Sequence, residues 1–80
     1  MTRAEALRLA LQALDDKAAD AETRGSEFDD EAALADAYGE STLTLKALGN
    51  YWWKRYEDIS AAWKMFADEL DALEGADTDA

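Results

Sequence analysis

The side chains of this chain that could do chemistry are almost all carboxylates: nineteen Asp and Glu, with no histidine and no cysteine. Paired carboxylates can move protons or hold a hard cation, but both tasks need an enclosed, converging site. A helical chain of 80 residues has little room for a pocket of the usual ~300 Å³ or more. Ser26, Ser41 and Ser60 have no imidazole to activate them, and neither a glycine-rich phosphate loop nor a nucleophile elbow occurs. The run Asp29-Asp30-Glu31 could hold Mg or Ca only weakly, and Asp77-Thr78-Asp79 lacks the glycine and distal glutamate of an EF-hand loop. The absence of cysteine removes disulfides, thiolate zinc sites and thiol nucleophiles together. The expectation is a protein that is not an enzyme, with no catalytic residue, metal site or cofactor.

What the carboxylates do have is uneven placement. The net charge is -11, distributed as +1 over residues 1–14, -8 over 15–40, +2 over 41–66 and -6 over 67–80. Segregated charge of one sign raises self-repulsion, so it reflects solubility, a basic partner or a salty environment more than it reflects fold. Direct nucleic-acid binding is disfavoured, because chain and phosphate carry the same sign. No apolar run approaches the roughly 18 to 20 residues of a membrane span, and the opening Met1-Thr2-Arg3-Ala4-Glu5 lacks a signal peptide's apolar region. A cytoplasmic protein without membrane contact is expected.

The elements that would position these charges are helices, since proline is absent and alanine abundant. Thr2 and Glu5 have the spacing of a capping box, followed by Ala4, Leu7, Leu11, Leu14, Ala18 and Ala21 at steps of three and four. Gly25 suits a left-handed stop, which predicts a first helix over 3–24. The middle segment splits its apolar residues between Phe28, Ala32 and Ala35 on one stripe and Leu34, Tyr38, Leu45 and Leu48 on another, predicting a helix over 27–48 bent or interrupted near Gly39 to Ser41. Trp52, Tyr56, Ile59, Trp63, Phe66, Leu70 and Leu73 repeat without a miss behind Gly49-Asn50, predicting a helix over 51–74. Residues 75–80 read as a frayed acidic tail to a single helical domain over 1–74.

Short joints at Gly25-Ser26 and Gly49-Asn50 then give an all-α fold, a small antiparallel three-helix bundle. The alternative is a helical hairpin in which the second and third segments run together, Gly49 becomes a close-packing position and the fold is dimeric. In the three-helix bundle both acidic blocks meet at one pole, opposite Arg3, Arg8, Lys46, Lys54 and Arg55. Asp15, Asp16, Asp20, Glu22, Glu27, Asp29, Asp30 and Glu31 would there present a duplex-like density of charge to another protein with a basic surface, with Tyr51 or Trp53 as aromatic anchor. The resulting expectation is a protein-binding module that inhibits its partner, plausible for a chain similar in composition and size to the small acidic inhibitors that phages and mobile elements encode. Two alternatives stand beside it: a structural or adaptor subunit forming a homo-oligomeric helical bundle, and a salt-adapted housekeeping domain.

Overall fold

Two long helices, not three, account for the fold. The computed structural model describes residues 1–78, with side chains placed through Gly75; the last two positions of the expected tail lie outside the described residues. Helix α1 spans Arg3–Ala37 and α2 spans Leu43–Thr78, antiparallel, in a rod of 64 × 17 × 13 Å. The helical hairpin thus replaces the three-helix bundle. It joins the first and second predicted segments as far as Ala37, and α2 begins six residues ahead of Gly49. Residues 75–78 continue α2.

The N-terminus of α1 forms as its sequence predicts. Thr2 is the cap; its hydroxyl accepts the Glu5 backbone N–H at 3.1 Å and donates to the Glu5 carboxylate at 3.2 Å. Gly25 does not stop the helix. Residues Ala4, Leu7, Leu11, Leu14, Ala18 and Ala21 are followed in unbroken three-four phase by Gly25, Phe28, Ala32 and Ala35, so one stripe faces α2 along the whole of α1. The series fails only after Ala35, where the next two positions in phase are Gly39 and Thr42. There the chain turns. Gly39 lies at φ +73°, its N–H bonds to the Asp36 carbonyl at 3.0 Å, and the Glu40 N–H bonds back to Ala35 at 2.9 Å. These two bonds are a Schellman motif, and glycine takes its left-handed position without steric cost. Thr42 opens α2, its carbonyl accepting the Lys46 N–H at 2.8 Å.

The seam between the helices is asymmetric. Fully buried positions are small or few: Leu7, Ala21, Gly25, Ala32 and Ala35 on α1, and Gly49 on α2. Bulk comes from α2, whose Trp52, Trp53, Tyr56 and Ile59 lie half-buried against the alanine and glycine track of α1. Trp53 sits flat over Gly25, so close that a β-carbon there would lie 2.8 Å from the indole Cε2. The same indole donates to the Asp29 carboxylate at 2.8 Å, which fixes the register of the two helices.

Candidate interaction surface

Because the helices are nearly equal in length, the first turn of α1 lies beside the last turns of α2, and the charge map changes accordingly. Arg3 and Arg8, expected at the opposite pole from residues 68–74, instead pair with that block. Arg3 bonds Glu69 at 2.6 Å, and Arg8 bonds Glu74. The Trp53-over-Gly25 register sets Asp71 beside Leu7, about fifteen residues or roughly 22 Å along the rod from Glu22. The two acidic blocks therefore approach each other only at Asp15, Asp16 and Asp68 and do not gather at one pole. Acid gathers instead at the loop end, where residues 27–51 carry -5, and more weakly at the open end.

The eight acidic residues singled out by sequence all lie on α1, exposed, and spread over seventeen positions from Asp15 to Glu31. Asp20 is paired with Arg24 at 3.1 Å, and Asp29 is held by Trp53. Eleven net charges along 64 Å amount to about one per 6 Å, against one per roughly 1.7 Å on a duplex. The rod thus reaches less than about a third of the density that nucleic-acid mimicry requires. Of the two aromatic candidates, Trp53 is committed to the seam, whereas Tyr51 is exposed and packs edge-on against Trp52 at 5.2 Å.

A different surface emerges on α2, one that sequence reasoning assigned to the core. Its two flanks differ. One carries Lys46, Asn50, Glu57, Lys64, Asp68 and Asp71, with Leu43, Ala47 and Ala61 beside them, and is mostly polar. The other carries Leu48, Tyr51, Ala62 and Phe66 with Arg55 and Glu69 among them, is continuous with half-buried Trp52 and Ile59, and passes into the outer face at Met65. Its large side chains remain well exposed: Leu48 40%, Tyr51 55%, Met65 73% and Phe66 36%. On α1 the neighbouring side chains are polar; Asp16, Lys17 and Asp20 edge a shallow groove with Trp52, Arg55 and Ile59. The Arg24 guanidinium lies 5.0 Å from the centre of the Trp52 ring and covers part of it. The stripe Trp52, Ile59, Phe66 and Leu73 therefore lies on the shoulder of the seam, half covered by the narrow α1.

Total exposure measures the consequence. The chain presents 5858 Å² to solvent, whereas a compact monomer of 8.8 kDa presents about 4,800 Å². The excess of roughly 1,000 Å² is about what one partner contributes to a standard protein interface.

The remaining polar features are local. Lys54 bonds Asp58 at 2.7 Å across one turn, and that bond, with the Asp58 and Glu57 charges behind it, holds the ammonium above its ordinary value. Among the described residues no helix is long and apolar enough to cross a membrane. No protein-family model, curated protein or solved structure matches the chain.

Proposed function

We propose that this chain is a non-enzymatic assembly module, a helical hairpin whose apolar α2 flank packs against protein. The observation that supports this most strongly is the row of exposed and half-exposed large side chains along one shoulder of α2. A two-helix rod has an inside only one helix wide, and Leu48, Trp52, Ile59 and Phe66 of α2 overflow it along one shoulder of the seam. Scattered exposed apolar residues are ordinary, but a contiguous stripe along one helix marks a contact face. The acidic ends keep such a surface soluble and turn away nucleic acid and other acidic surfaces.

Site-specific photo-crosslinking in cells tests the proposal. A crosslinker at Tyr51 or Met65 is expected to give discrete protein adducts, and one at Asn50 or Lys64 on the polar flank to give none. Equal labelling from both flanks, or none from either, would contradict it.

A second reading, an inhibitor of a basic surface, draws support from the loop end, where Glu27, Asp30, Glu31, Asp36 and Glu40 lie close along the chain between Arg24 and Lys46 with no basic residue among them. It no longer has the two acidic blocks side by side. Charge reversal at Asp30 and Glu31 separates the readings: it abolishes binding to a basic partner and leaves α2-flank adducts unchanged.

A further inference from the structure

We propose that the occupant of the α2 flank is a second copy of this chain, with the two α2 helices antiparallel about a two-fold axis near Glu57, forming a four-helix assembly. The proposal rests on the flank being a contact face and adds which protein covers it. Three observations point to self-association.

The first is area. Each hairpin exposes roughly 1,000 Å² more than a compact chain of its mass, which covers the about 800 Å² per partner that a standard interface takes.

The second is self-complementarity, which an isologous contact demands of its own patch. The flank runs from Leu48 to Phe66, with its midpoint at Glu57. Antiparallel pairing about that midpoint sets Leu48 against Phe66 of the second copy and Trp52 against Ala62 of the second copy, placing the largest side chain opposite the smallest. Large against small is how facing helix positions interdigitate.

The third is charge. Residues 41–66 are the most positive of the four stretches of the chain, at +2, so the contact stretch of each copy escapes the repulsion between the acidic blocks. Arg55, on the flank, forms no ion pair with another side chain among the described residues. The same register brings it within one residue of Asp58 of the second copy. A basic partner would meet Arg55 and Lys54 here and be drawn to the acidic ends instead.

Sedimentation equilibrium of the full chain from about 1 to about 100 µM, with helicity followed by circular dichroism, tests this. The wild type is expected at about 17.6 kDa, twice the 8.8 kDa chain. Met65→Lys with Phe66→Lys, at positions already exposed in the hairpin, should weaken the dimer at least about tenfold. Arg55→Asp should weaken it too, with the helicity of the chain unchanged by circular dichroism. A monomer at about 100 µM overturns the second copy, with crosslinks from Tyr51 then deciding separately whether the flank binds another protein. A dimer indifferent to all of these substitutions overturns it as well.

Discussion

At the scale of single residues, the glycines separate by what surrounds them. Gly25 in mid-helix costs about 1 kcal/mol relative to alanine in intrinsic propensity, yet a methyl there would press on the Trp53 ring. Gly25→Ala is therefore expected to destabilise by about 1–3 kcal/mol despite the better helix former. Gly75, also helical but with open space around it, should respond oppositely: Gly75→Ala stabilises by about 0.5–1 kcal/mol. Denaturant titrations of the two variants check the contrast, and a stabilised Gly25→Ala would dispute the Trp53 packing. Trp53→Phe keeps an aromatic ring but loses the pyrrole ring over Gly25 and its N–H donor to Asp29, for an expected loss of about 1–3 kcal/mol. The sequence showed the Thr2–Glu5 cap fully, because a capping box is a local three-residue relation. It could not show Trp53 in the seam: that placement depends on Gly25, twenty-eight positions away, leaving space for an indole.

At the scale of elements, the interruption expected near Gly39 to Ser41 is where the chain turns, whereas the breaks expected at Gly25 and Gly49 are misplaced because glycine has two meanings. As a terminator it adopts a left-handed conformation; inside a helix it admits a bulky neighbour. Only Gly39 does the first. The distinguishing signal lay in the phase: Ala18, Ala21, Gly25, Phe28, Ala32 and Ala35 keep one three-four rhythm, which two separate helices have no cause to share. Likewise Leu45, Gly49, Trp52 and Tyr56 run in phase through Gly49, whereas no apolar residue holds the rhythm between Ala35 and Leu45. Gly39→Ala is accordingly expected to cost about 1–2 kcal/mol, the penalty for a β-carbon in the left-handed region, read as a lowered denaturation midpoint with unchanged helicity. The heptad on α2 was legible from sequence, but not its half-exposed state. A third helix would have covered Trp63 and Phe66; a single partner helix leaves both partly in water.

At the scale of the whole molecule, charge and shape act together. A rod with net charge -11 repels itself along its length, and the interhelical Arg3–Glu69 and Arg8–Glu74 pairs are exposed, a class worth about 0–1 kcal/mol each. Salt weakens those pairs and also screens the larger number of unpaired acids, so screening of repulsion prevails. Thermal stability is expected to rise between about 0.05 and about 0.5 M salt; a fall would mean that the ion pairs dominate. The uneven charge was readable along the chain, but its placement in space was not, since that depended on where the helices turn. One turn at Gly39 sends residues 68–74 back to Arg3 and Arg8 and away from residues 15–31.

That single turn uncovers the α2 flank, and everything argued about assembly follows from it. The most direct test is a pulsed electron–electron distance between spin labels at positions 30 and 71, both exposed, with labelled chains diluted in unlabelled protein so that only intrachain pairs report. With Asp71 beside Leu7, the hairpin separates the labels by about twenty-three residues of helical rise, an expected distance of about 35 Å. A distribution centred near about 15 Å, the spacing of neighbouring ends in a compact three-helix bundle, would contradict the hairpin and the exposed flank with it.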